Sequence, residues 1–217
     1  LTSNPPEVTA LLTSCGRQDL LERTIDSFIK MNTYPLHDFI VYEDSGIEGI
    51  NDRLKIKYPF IRWIEPKERT GQIVALDTLF QACTTPYAFM QEDDWLFIRP
   101  GFIEASMAIM EALPRVAHVW LRDRSDLVSH PITWGDDYGI LKSAPGMWAG
   151  FQFSPSLKRL ADYKAIGSYG RHTTFERHRP WKAEAAISQL YNRLGYKAAI
   201  LVDPYIRHIG DNGRHVN

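Results

Sequence analysis

Three consecutive acids, Glu92, Asp93 and Asp94, interrupt an apolar run in the stretch YAFMQEDDWLFIRPGF. Carboxylates set side by side repel one another, and apolar neighbours make each charge harder to hold, so such a cluster needs a cation or hydrogen-bond donors. A hard divalent metal with oxygen ligands meets that need, above all one that also bridges a diphosphate. A second acidic pair, Glu43-Asp44, lies in DFIVYEDS, and a third polar stretch, Ser14-Cys15-Gly16-Arg17, follows EVTALLTS. Acids after a strand also read as a solvated turn or a helix N-cap. Against that reading, Trp95, Leu96 and Phe97 abut the trio directly, and the acidic end is repeated at Glu43-Asp44.

These stretches sit between segments of alternating type. Residues 7–14 form a short apolar, β-branched run, and residues 18–31 repeat Leu20, Leu21, Thr24, Ile25, Phe28 and Ile29 on one helical face. Residues 38–45 and 60–65 read as strands and residues 71–83 as a helix with Ile73, Leu76, Leu79, Phe80 and Cys83 inward. The strand over 87–91 runs straight into the acids, and Pro100 opens a helix through Leu113. Near-continuous apolar strands separated by helices predict an α/β fold, a mostly parallel sheet covered on both faces. Ligands bind such sheets at the carboxyl ends of the strands. All three chemically loaded stretches fall there.

At 217 residues, 44% of them hydrophobic, the chain can bury one sizeable core, which predicts a single domain. A formal net charge of -1 with scattered basic residues leaves no footprint for a nucleic-acid backbone, so small ligands are the expected partners. Cys15 and Cys83 lack metal or disulfide spacing and read as reduced core thiols. With no signal-type apolar region and no membrane span, the expected location is cytoplasmic, although a start at Leu1 points to trimming or to one domain of a larger enzyme.

In order and spacing, VTALLTSCGRQDLLERTIDSF, DFIVYEDSG and RTGQIVALDTLFQACTTPYAFMQEDDWLFIRPGFIE resemble the nucleotide-sugar half of GT-A glycosyltransferases. The layout is similar to that of family 2 inverting enzymes. The acids resemble a DXD-type motif in the EDD form of N-acetylglucosaminyltransferase I-like enzymes, and the compact chain also resembles glycosyltransferase domains of large DNA viruses. The resemblance implies a GT-A domain over 1–217, with a nucleotide-sugar-binding half (1–98) and an acceptor-binding half (99–217). It implies that Asp94 binds Mn²⁺ or Mg²⁺ while Glu92 and Asp93 contact the ribose or orient the metal's waters. Asp44 would accept from a pyrimidine N3–H, which favours a UDP-sugar donor, and Thr13, Ser14 and Arg17 would line the base pocket. Arg69 and Gln72 would lie near the donor's phosphates or sugar, with Gly71 permitting close approach of the backbone. For Arg17, a surface arginine at a helix start is the competing reading.

In the second half, residues 116–121 read as a strand, and Trp134-Gly135-Asp136-Asp137-Tyr138 as a loop suited either to stacking on sugars or to packing a corner. Gly146-Met147-Trp148-Ala149-Gly150-Phe151 is similar to the small-residue stretch that passes close to the donor sugar, with Trp148 an acceptor-side candidate or a core residue. Residues 181–195 read as a helix burying Ile187, Leu190, Tyr191 and Leu194, with Glu184 in its first turn. An acid there is ordinarily a dipole partner. In family 2-like enzymes, however, the base is an acid of an ED-type pair opening such a helix. Here the pair has become Ala-Glu-Ala, so Asp137 and Asp136 stand as substitutes for Glu184. The resemblance also brings a C-terminal histidine to the metal, His208 or else His215.

The expected chemistry is in-line displacement of the nucleoside diphosphate at an anomeric carbon, a carboxylate base removing the proton of a glycan acceptor's hydroxyl on the opposite face, which gives inversion. A sugar nucleotidyltransferase would need glycines that TSCGRQD lacks. A metal-dependent phosphohydrolase would need His/Asp pairs, and a non-catalytic nucleotide-sugar-binding module would keep Asp44 and the acids without a base.

Overall fold

The computed structural model describes residues 7–126, 130–142, 150–173 and 181–210. Strands β1 (Val8–Ser14), β2 (Asp38–Glu43), β3 (Arg62–Ile64) and β4 (Tyr87–Glu92) alternate with helices α1 (Gln18–Met31), α2 (Asp52–Lys57) and α3 (Gln72–Ala82). After β4 come β5 (Trp95–Phe97), α4 (Phe102–Ala112), β6 (Val116–Trp120), β7 (Ile132–Trp134), β8 (Tyr138–Leu141), β9 (Ser156–Arg159) and α5 (Leu160–Ile166). The described chain closes with α6 (Trp181–Arg193), β10 (Lys197–Leu201) and β11 (Ile206–His208).

The main sheet has the order β3-β2-β1-β4-β9. Its first four strands are parallel, and β9 joins β4 antiparallel with Ser156 opposite Met90 and Lys158 opposite Ala88. A strand from the second half thus completes the sheet of the first. A smaller sheet, β6-β10-β8-β7, and the pair β11-β5 flank it.

Alternation along the central strands sorts their side chains between two cores. Val8, Ala10 and Leu12 of β1 join Leu21, Ile25 and Phe28 of α1 and Phe102, Ile103 and Met107 of α4. Leu11, Ile40, Ala88 and Met90 face the opposite way, onto α3, α5 and α6. Phe28 is the hub of the first core, with ring centroids 5.3 Å from Phe39, 5.2 Å from Phe97 and 5.6 Å from Phe102. Because Phe97 lies three positions beyond Asp94, this cluster also anchors the chain just after the acids.

Several expectations need correction in detail. Ile29 is 43% exposed, because the inward line of α1 is Leu21, Thr24, Ile25 and Phe28. Leu194 is 46% exposed rather than buried, since α6 ends at Arg193 and Gly195 turns away with φ 79°. The helix expected from Pro100 begins at Phe102, because Gly101 takes a left-handed conformation, φ 85°. The aromatic-acidic loop is the tip of the β7–β8 hairpin.

Truncating Phe28 to alanine should destabilise the protein by about 3–5 kcal/mol, read as a lowered urea midpoint; a loss below about 1 kcal/mol would show that the aromatic cluster is not what holds α1 to the sheet.

Candidate active site

The acids occupy a sharp feature. Glu92 ends β4, Asp93 and Asp94 make the turn, and Trp95 starts β5. Helix α1 holds that turn through hydroxyls that occupy the helix's buried face. Thr24 Oγ1 donates to the Asp93 carbonyl (2.8 Å) and accepts from the Trp95 N–H (3.2 Å), while Ser27 Oγ accepts from the Phe97 N–H (3.0 Å). Backbone groups that lack a strand partner here are paired with side chains instead.

Arg17 supplies most of the compensating charge. Its Nε reaches Asp93 Oδ2 (3.2 Å), its Nη2 grips Asp93 Oδ1, and its Nη1 reaches Asp94 Oδ2 (2.8 Å). Ser14 Oγ donates to Asp93 Oδ2 at 2.9 Å. Burial pushes Asp93 up to about 6, with Arg17 and Ser14 pulling against it, so it stays ionised at neutral pH. Asp94 is raised by burial, but the His208 hydrogen bond and Arg17 outweigh that and hold it below the ordinary carboxylate value. Glu92 receives less help. Burial first, then the Asp94 and Glu184 charges, push it up to about 8, while it accepts from Gln72 Nε2 (2.8 Å) and Trp95 Nε1 (3.3 Å).

The loops at the neighbouring strand ends are held by the other acidic pair. Glu43 Oε1 accepts from the N–H groups of Gly16 (2.7 Å) and Ser45 (3.0 Å), and Glu43 Oε2 from Gln18 Nε2 (3.3 Å). Asp44 Oδ1 accepts from the Thr70 N–H and Oγ1 (both 2.7 Å), and Oδ2 from the Gly71 N–H (2.8 Å). Asp44 therefore fixes the entry to α3, where Gly71 takes φ 92°, with a Cβ there meeting open space. A carboxylate offers about four acceptor positions, and three of those on Asp44 are filled by its own chain. Arg69 is exposed and bears on the Cys15 thiol beside Asp44.

β11 brings His208 opposite Trp95, with Nε2 3.3 Å from Asp94 Oδ2. Among the described residues no group of three or more His, Cys, Asp or Glu side chains could hold a metal. Asp94 and His208 would offer a divalent ion one hard oxygen and one imidazole nitrogen, a donor pair compatible with Mn²⁺.

Glu184 lies in the first turn of α6, and its charge is among those that push Glu92 up. Its Oε1 accepts the Phe153 N–H at 2.7 Å; burial raises its pKa, opposed by that bond and by Arg122 and Lys158. Asp136 and Asp137 lie elsewhere. They line a cleft of about 480 Å³ with Ala105, Ala108 and Ile109 of α4 and Tyr205. Trp148 and His215 lie outside the described residues. Thr13 is buried within β1, while Ser14 and Arg17 are turned onto Asp93.

Sequence reasoning missed Glu43 as the clamp of the first loop, Thr24 as the brace of the turn, and Lys158. Thr24 carried a signal, a hydroxyl among the apolar positions of a helix face. Lys158, in SPSLKRL, reads as a surface residue.

The parallel sheet with a carboxylate turn at its carboxyl edge is the GT-A fold. A family model described as glycosyl transferase family 2 matches residues 9–196, and the chain belongs to that family. Among solved structures it is similar to the mannosyltransferase PcManGT from Pyrobaculum calidifontis in complex with GDP-Man and Mn²⁺, at 17% identity and a TM-score of 0.68, covering 97% of this chain and 59% of that one. It is also similar to S. aureus TarS 1-349 in complex with UDP-GlcNAc, at 9% identity and a TM-score of 0.69, covering 96% of this chain and 60% of that one. The chain thus spans about three fifths of the length of these two structures. No curated protein matches it in sequence. Among the described residues no helix is long and apolar enough to cross a membrane.

The raised value of Glu92 has a definite consequence for stability. Between about 4.5 and about 8 the folded protein keeps a proton that the unfolded chain releases, so stability falls as pH rises through that window. In metal-free protein, Glu92→Gln removes this contribution, and the variant's melting temperature relative to wild type should climb from pH 5 to pH 8. A difference constant across that range would show that Glu92 ionises normally.

Proposed function

We propose that the protein transfers a sugar from a nucleotide-sugar, in our reading a UDP-sugar, to a hydroxyl of a glycan or similar acceptor, with a divalent metal and inversion at the anomeric carbon. The observation that carries this reading is the pairing of an ionised Asp94 with His208 at the carboxyl edge of the sheet, with a further carboxylate, Glu184, whose charge is felt at Glu92. Membership of glycosyl transferase family 2 agrees with it. The EDD turn then plays the part of a DXD-type motif.

A cation held by Asp94 and His208 would neutralise the charge that develops on the leaving diphosphate. The protein's own residues do the rest. The loops clamped by Glu43 and Asp44 hold the nucleotide, and Asp44 accepts from a base N–H. Glu184 removes the proton from the acceptor hydroxyl as that oxygen forms its bond to the anomeric carbon and the bond to the diphosphate oxygen breaks. The proton ends on Glu184 and the electron pair on the leaving nucleoside diphosphate. Burial raises Glu184, and a carboxylate of raised pKa is the stronger base.

Asp94→Asn should lose at least about tenfold in Mn²⁺-dependent UDP affinity, about 1.4 kcal/mol, with the fold retained because Arg17 keeps its hold on Asp93. Unchanged affinity in Mn²⁺ would remove the metal role. Glu184→Gln should lower transfer by roughly 10²–10⁴-fold while UDP affinity stays the same; near-normal turnover would eliminate Glu184 as the base.

A further inference from the structure

Residues 150–153 are held mostly by side chains. The Gly150 carbonyl accepts from Trp120 Nε1 (2.7 Å) and is bonded to His118 Nε2 (2.8 Å), and the Phe151 N–H donates to Ser188 Oγ (3.2 Å). Lys158 Nζ donates to the Gln152 carbonyl (3.4 Å), and Glu184 accepts from the very next N–H, that of Phe153 (2.7 Å). An ammonium and a carboxylate therefore grip the two ends of one peptide group, the Gln152 C=O and the Phe153 N–H, from opposite sides. Lys158 is only 3% exposed, its Nζ lying 4.6 Å from the Phe151 ring centroid. A lysine is rarely buried so fully without a charged partner, and one weak carbonyl bond does not compensate its desolvation.

We propose that Lys158 is a positioning residue that, from the buried side of residues 150–153, holds Glu184 in its ionised, proton-accepting form. This rests on Glu184 being the base of the proposed transfer. Every charged group facing the pair bears on the balance. Glu184 faces Lys158 from β9, Arg122 beyond β6 and Glu92 from β4; the first two favour its carboxylate, and Glu92 opposes it when ionised. Lys158 faces Glu184 and Asp162 of α5, which favour its ammonium, and also His118 of β6, which burial keeps neutral. Burial pulls Lys158 down to about 7, so its charge is present below neutrality, and there it opposes the upward pull that burial exerts on Glu184.

The test is a carbon-13 NMR titration of the full chain labelled at its glutamate carboxyl carbons, with Glu184 assigned by the resonance missing from Glu184→Gln. In Lys158→Met the Glu184 midpoint should rise by roughly one pH unit, and the acidic limb of the kcat profile should move with it while donor KM stays constant. A lysine that only supports the fold would lower Tm and leave both midpoints in place, which overturns the proposal. Because coupling is reciprocal, Glu184→Gln should lower the Lys158 midpoint, read at the lysine side-chain carbon; this arm decides the matter if Lys158→Met fails to fold, and an unmoved Lys158 midpoint overturns the proposal. The two readings fail separately. Full turnover in Glu184→Gln removes the base and this role together, whereas an inactive Glu184→Gln protein with no coupling removes the role of Lys158 alone.

Discussion

Three carboxylates at the end of a buried strand cannot all be left to themselves, and the arrangement of this protein follows from how that charge is met. Arg17 meets most of it. By spanning Asp93 and Asp94, its guanidinium converts two repelling acids into a bound ion pair, and its own pKa rises well above the usual arginine value despite burial, through the pull of Asp93 and Asp94. A planar fork with several donors suits this task better than an ammonium would. What remains is divided by position: Asp93 is closed off, Glu92 is drawn toward its neutral form, and Asp94 keeps its charge beside His208. Only the last has the character of a ligand.

The same division of labour extends outward. Glu43 and Asp44 are adjacent in sequence, yet each holds a different loop, one at the start of α1 and the other at the start of α3. Thr24 and Ser27 spend their hydroxyls on the turn and on β5 rather than on their own helix alone. The polar residues nearest the site therefore act first as structure, and the proposed function draws on few others: the Asp94–His208 pair and Glu184. Such economy is what a site needs when its ligand carries charges of its own.

Much of the first half was legible in the sequence because its physics is local. The α1 helix has the expected bounds, 18–31, since its apolar positions repeat at helical spacing. The acids stood out because charge beside apolar bulk is costly wherever the chain goes. Arg17's role was not legible: it depends on a partner 76 positions away, and no local pattern records that distance. β9 was missed for a related reason. SLKR has a surface-like pattern, and its burial comes from pairing with β4 and from Arg159, which reaches the Val116 carbonyl at 2.8 Å. β10, KAAIL, is too short and too plain to separate from the helix before it without its partners β6 and β8.

Asp94 is central because it stays ionised and, unlike Asp93, lies against a histidine, His208. Isothermal titration of the unmodified protein with UDP, in Mn²⁺ and again in excess chelator, with GDP as the competing base, tests that claim most directly. The account predicts UDP binding at least about tenfold tighter with Mn²⁺, a difference of about 1.4 kcal/mol, and weaker binding of GDP. Equal UDP affinity in Mn²⁺ and in chelator would contradict it.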